Sequence, residues 1–289
     1  MRNISIGAAA ALVLASCGTV LAAVQPPVAT PAEPAAAPLP LASFRASYEV
    51  SLAGAEPQSL VTAALGRIAM EVVGSDCAGW STRITNSTLF NFSESVARVL
   101  GSRNTGFELG DTLTFQSEDT INDQVSAHAD GVAVRQPDGT LRLTMTEPIE
   151  GEVTVERPAL FPSAHMEAII AAMDSGESDF RLYLYDGSGD GLAAIPTDIA
   201  IDPPGATVAE TPEIQEIVAA AGMADMRHWQ MRMTYFQDFR GDEVAYLIND
   251  TVTYENGIST IIEFDLGGIH LEGRLTALEL FDEPACPAV

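Results

Sequence analysis

The chain has 289 residues, with 40 acidic against 14 basic side chains and a formal net charge of −26 at pH 7. Every one of those basic residues is Arg, so mechanisms built on a Lys amine are excluded. The acids are spread along the chain rather than clustered; they favour solubility, and disfavour binding to nucleic acid or an anionic membrane surface by electrostatics.

The first 22 residues read as a signal peptide: one Arg, then an apolar run from Ile4 to Val24 with small residues near its end. Two processing sites compete. Val20-Leu21-Ala22 fits an ordinary small-residue cleavage, whereas Leu14-Ala15-Ser16-Cys17 resembles a bacterial lipobox that would leave Cys17 lipidated and the chain membrane-anchored. Both readings export the protein, to the periplasm or to a membrane facing it. Residues 23–42 are rich in Pro and Ala and too poor in large apolar side chains to fold, which predicts a disordered linker before a domain over 43–289. With Cys17 removed or lipidated, Cys77 and Cys286 are left as a pair in an oxidising compartment. Free thiols are the alternative. A bridge closing so long a loop stabilises by about 5 kcal/mol in the chain-entropy model.

Strand-like alternation opens the domain. Phe44, Ala46, Tyr48, Val50 and Leu52 alternate with polar residues, and Leu60–Val73 and Trp80–Leu89 read as the next two strands. Ser93–Leu100 is ambiguous between helix and strand. Phe107 and Thr112–Gln116 read as short strands about Gly110-Asp111. Gln124–His128 and Val132–Arg135 flank Asp130-Gly131, a hairpin signal, and Pro137-Asp138-Gly139 marks a turn before Leu141–Thr146. The pattern then breaks. Met166, Ile169, Ile170 and Met173 repeat at helical spacing, with Ser163 as the expected cap and Gly176 as the stop. A strand over Phe180–Tyr185 follows at once. Thr211-Pro212-Glu213 starts a second helix, whose stripe is Ile214, Ile217, Val218 and Ala221. Four long strands, joined by turns at Arg240-Gly241, Asn256-Gly257 and Gly267-Gly268, complete the chain.

Few residues carry a chemical signature. Asp186-Gly187-Ser188-Gly189-Asp190-Gly191 matches the front half of a calcium loop. Its twelfth position is Thr197 rather than Glu, and a strand precedes it, so a structural turn is expected and no metal site is assigned. His128, His165, His228 and His270 lack metal-ligand spacing, and no nucleophile motif occurs; neither catalytic residues nor a cofactor are assigned.

Several separated motifs, taken together, resemble the cell-envelope integrity protein B (EipB-like) family. They are Gly74-Ser75-Asp76-Cys77-Ala78-Gly79-Trp80, Phe161-Pro162-Ser163-Ala164-His165-Met166, the run Leu184–Gly191, the turn Tyr254–Ser259 and the near-terminal Cys286. The resemblance spans Leu41 to Cys286. It implies a mainly β fold, a single large antiparallel, spiral-like open β-barrel with a central amphipathic helix, and a Cys77–Cys286 disulfide. It further implies a role in maintaining a Gram-negative envelope, with no catalytic residues to carry over. The chain departs from the family pattern at the insert 205–225 and in its lipobox-like leader.

Two function classes follow. The first is a non-enzymatic periplasmic protein that binds an apolar, lipid-like ligand or an envelope partner protein. The second is a periplasmic hydrolase with its site in the barrel mouth. An apolar cavity distinguishes the first, converging titratable groups the second. The stripe Met166, Ile169, Ile170 and Met173 is read as the wall of a groove for an acyl chain or apolar segment, against the alternative of a packed core.

Overall fold

The computed structural model describes residues 41–93, 96–203 and 210–286. The expected signal peptide, Cys17 and nearly all of the expected linker lie outside them. Eight strands come first: β1 (Ser43–Ala55), β2 (Val61–Ser75), β3 (Gly79–Phe92), β4 (Arg98–Leu109), β5 (Thr112–Ile121), β6 (Gln124–Arg135), β7 (Leu141–Glu147) and β8 (Gly151–Val155). Helix α1 (Pro162–Ser175) leads to β9 (Asp179–Leu184) and β10 (Ile195–Ile201). Helix α2 (Pro212–Ala220) precedes β11 (His228–Phe239), β12 (Asp242–Tyr254), β13 (Ser259–Asp265) and β14 (Ile269–Phe281). All fourteen strands form one antiparallel sheet, ordered β8-β7-β6-β5-β4-β3-β2-β1-β14-β13-β12-β11-β10-β9.

The register defines one continuous face. Trp80, Glu108 and Leu113 share a row, and Phe44, Val72, Thr82, Gly106 and Phe115 share another. Met231, Thr251, Ile262 and Gly273 continue the same face on the far side of β1. The contacts across this face show that the sheet is curled. β4 and β11 stand seven places apart, about 34 Å in a flat sheet at ~4.8 Å per strand. Yet α1, whose 14 residues span about 21 Å, touches both. Its first turn receives Glu108 of β4, and its Ile169, Ala172 and Met173 pack with Trp229, Met231 and Met233 of β11. Likewise Tyr185, just after edge strand β9, meets Phe115 of β5 edge to face at 5.6 Å. The sheet is therefore an open curl whose edge strands, β8 and β9, are not paired with each other. Irregular chain lies at the seam: Leu160 N–H donates to the Tyr183 carbonyl, Tyr185 N–H donates to the Leu160 carbonyl, and Ala159 N–H reaches the Gly139 carbonyl.

α2 lies on the opposite face from α1. Thr211 caps it by accepting from Ile214 N–H, and it bears on β14 beside Arg274, whose register partner is Ile261. This explains why β13 buries Ile261 as well as Ile262. The register shift opposite Thr253 lets Thr260 turn to the carboxylate of Glu210, which also accepts from the Tyr254 hydroxyl at 3.0 Å.

Two local readings are corrected and one left open is decided. Asp130-Gly131 is not a hairpin: β6 runs straight through it, with a bulge against β7. Gly131 serves close packing, since a Cβ there would stand 2.8 Å from the Thr144 carbonyl oxygen and 3.1 Å from Phe115 Cζ. The true turn is Asn122-Asp123, whose φ angles of 52° and 60° suit a tight hairpin. Ser163 does not cap α1; Phe161 is the N-cap residue and Pro162 opens the helix. The ambiguous stretch ends in strand, because β4 begins at Arg98.

Candidate functional site

The inner face is crossed by two inserts, α1 and the turn Asp186–Gly191, and together they define the candidate site. α1 is held at both ends. With no cap from its own chain neighbours, its N-terminus takes one from 55 residues away, as Glu108 Oε2 accepts the Ser163 N–H at 3.0 Å. A buried carboxylate at a helix N-terminus satisfies an orphan amide and meets the positive end of the helix dipole. At the other end Gly176, at φ 75°, closes the helix, and Asp174 pairs with Arg227 at 2.7 Å. Arg227 also pairs with Glu255 and stacks over Trp229.

His165 sits in the first turn of α1, 5% exposed, and its Nε2 has no hydrogen-bond partner. Burial lowers its pKa from 6.5 to about 4, so the ring is neutral at pH 7. Glu167, two residues on, is shifted upward, first by burial and then by the neighbouring Asp76 and Glu108. Trp80, in the Glu108 row, is also buried, and its indole N–H has no partner.

The groove reading is corrected in part. Ile169, Ile170 and Met173 are buried, and Ile169 is wholly enclosed. The stripe is thus core wherever it faces β10 and β11. Only Met166 is half-exposed, where its Cγ and Ile170 Cδ1 approach Gly257 beside Leu41.

The second insert behaves as a structural turn. Asp186 accepts the Ser188 N–H at 2.9 Å, Asp190 accepts the Leu192 N–H at 3.1 Å, and the Tyr185 hydroxyl donates to the Gly191 carbonyl. Gly187 has φ 73° and lies so close to Phe115 that a Cβ would overlap the ring. Asp186 also lies near Tyr235 and Tyr246. Burial, reinforced by that carboxylate, raises the pKa of Tyr235, and raises that of Tyr246 to about 12. Across the curl, Asn104 Oδ1 and Ser117 Oγ are buried without partners, and burial raises Asp119.

Cys77 and Cys286 are joined in a disulfide that ties the β2–β3 turn to the tail after β14. Ser75 Oγ donates to the Pro284 carbonyl beside it.

The structure thus brings together both Cys of the expected pair and all four residues of the expected stripe. Sequence reasoning missed Glu108, Trp80, Ser117, Tyr235 and Asp186 as one interior set. The available signal was weak: Glu108 is an acid at an inward position of an alternating strand, two residues after Gly106.

The model of the family described as EipB-like matches residues 35–282. The chain belongs to that family. A relative of this EipB-like chain is the cell envelope integrity protein EipB of Brucella abortus (strain 2308), 26% identical over 252 residues, covering 86% of this chain and 87% of that one. A crystal structure from Brucella abortus, described as a beta-barrel-like protein of the domain of unknown function DUF1849, superposes with a TM-score of 0.76 at 23% identity. It covers 84% of this chain and 100% of the other. That likeness is one of fold, and it extends the barrel-like architecture to this EipB-like chain.

Proposed function

We propose that the protein is a non-enzymatic periplasmic factor that supports cell-envelope integrity by binding an envelope partner or apolar ligand. The observation that carries this reading is kinship across nearly the whole domain with a protein named for envelope integrity. The interior chemistry supports it. Glu108 is engaged in capping α1, Asp186 and Asp190 in capping a turn, and His165 Nε2 touches no hydroxyl or thiol that it could activate. Burial of most of the α1 stripe also favours a partner protein over an acyl chain, leaving Met166 as the place where an apolar ligand would enter.

The test is genetic. Loss of the protein should sensitise cells to detergents and to cell-wall antibiotics. The exported chain should restore resistance, and a chain lacking residues 1–22 should not. Restoration by the chain lacking the leader would refute action in the periplasm, and unchanged sensitivity would refute the envelope role.

A further inference from the structure

The hairpin turns at the end of the sheet remote from the disulfide share a composition that neither α1 nor the family kinship explains. Six of the seven strand connections there carry a large exposed apolar side chain in or beside the turn: Leu60 (51% exposed), Val96 (84%), Val125 (57%), Ile149 (58%), Phe239 (56%) and Leu266 (38%); the seventh, between β9 and β10, turns onto the inner face with Tyr185 buried. Four of these turns form one continuous arc, joined by backbone hydrogen bonds from Glu56 N–H to Gly268 O, Ser93 N–H to Leu60 O and Asn122 N–H to Val99 O. The turns at the other end of the same strands expose fewer such tips: Leu109 (48% exposed) precedes Gly110-Asp111, but Pro137–Gly139 holds no aliphatic tip and Ile258 after Gly257 is fully buried. Tight-turn geometry calls for Gly, Asn or Asp, so it does not account for exposed Leu, Ile and Phe. Apolar tips clustered on one end of a chain this charged mark an interaction surface.

The polar residues of these turns limit what it meets. Glu56, Asp123, Glu150 and Asp242 are exposed among the apolar tips. Of the Arg residues at this end, Arg98 stacks over Phe92 and Arg240 over Phe239. A net charge of −26 adds to the negative field. An anionic membrane and a second copy of this chain would both be repelled.

We propose that this end of the curl docks a cationic amphipathic segment of a partner protein, whose apolar side chains seat among the tips and whose Lys or Arg residues face the turn carboxylates. The proposal deepens the binding reading above by naming the chemistry of the partner.

The probe is a synthetic Leu/Lys peptide with helical spacing, titrated into the purified mature chain by fluorescence anisotropy. A Leu/Glu peptide and phosphatidylcholine vesicles run alongside. The Leu/Lys peptide should bind, and more weakly as salt rises. Leu60→Ser with Val125→Ser should weaken binding at least about fivefold at unchanged melting temperature; Leu266→Ser replaces that pair if it fails to fold. Glu56→Gln with Asp123→Asn should flatten the salt dependence. No binding of the Leu/Lys peptide overturns the proposal. So does equal binding by the variants, equal binding of both peptides, or a preference for vesicles or self-association. If peptide binding fails while the sensitivity phenotype stands, the docking site falls and the envelope role remains; the reverse outcome removes the envelope role alone.

Discussion

The two ends of the curled sheet are built on different principles. At one end the chain is stapled and roofed: the Cys77–Cys286 disulfide joins turn to tail, α1 lies across the opening from Glu108 to Arg227, and Leu41 and Ile170 close on Gly257. At the other end no helix among the described residues covers the turns, and six of the seven strand connections expose an apolar side chain. The same antiparallel strands run through both, so local β propensity does not cause the difference. One end uses its apolar residues to bury α1 and so to stabilise the curl. The other leaves them in water, where they contribute little to folding and remain available for contact.

This contrast can be broken or sharpened by substitution. The largest effect is expected at the roof. Ile169→Ala empties a fully enclosed site and should cost about 2–5 kcal/mol in urea unfolding; a loss well under 1 kcal/mol would mean that α1 is not packed as described. Cys286→Ser should come next, lowering stability by roughly 2–4 kcal/mol without preventing folding, because a core of this size does not depend on one staple. Alkylation of both thiols in the unreduced native protein would contradict the bridge itself.

The third effect depends on pH. His165 has a folded-state pKa of about 4 against 6.5 unfolded, so the unfolded chain binds the extra proton. Its contribution is harmless above pH 6.5 and becomes destabilising as pH falls from 6.5 towards 4, by at most about 3 kcal/mol. Glu167, whose carboxyl is shifted up from 4.5, works in the opposite sense at the lower end of that window, because its folded state holds the proton more tightly. His165→Phe should therefore flatten the fall in melting temperature between pH 7 and 5. An unchanged pH profile would show that His165 binds its proton equally in the folded and unfolded chain.

The smallest effect belongs to the open end. Leu60→Ser and Val125→Ser should each change stability by no more than about 0.5 kcal/mol, since these side chains lose little water contact on folding. A cost comparable to that of Ile169→Ala would mean that the turns belong to the core and are not a docking surface.

Much of this architecture is legible in the residues. Alternation in Phe44–Leu52, the helical spacing from Met166 to Met173 and the Gly-rich turns determine most of the strands, both helices and the mainly β class, because each signal comes from neighbours a few residues apart. The leftover pair Cys77 and Cys286 is equally plain once export is assumed. The errors fall where a residue answers to something distant. Asp130-Gly131 carries the local signature of a turn, but Phe115 and Met145 packed over Gly131 make it a close-approach position in a straight strand. Ser163 carries the signature of a cap, but Pro162 and the reach of Glu108 from β4 settle how α1 begins. The stripe of α1 shows that one side of the helix must be buried; whether that side meets a ligand or a strand depends on β10 and β11 curling round to it. Which end of the sheet is roofed and which is open likewise has no local signature, because curl is the summed twist of fourteen strands and is set by contacts between residues far apart in the chain.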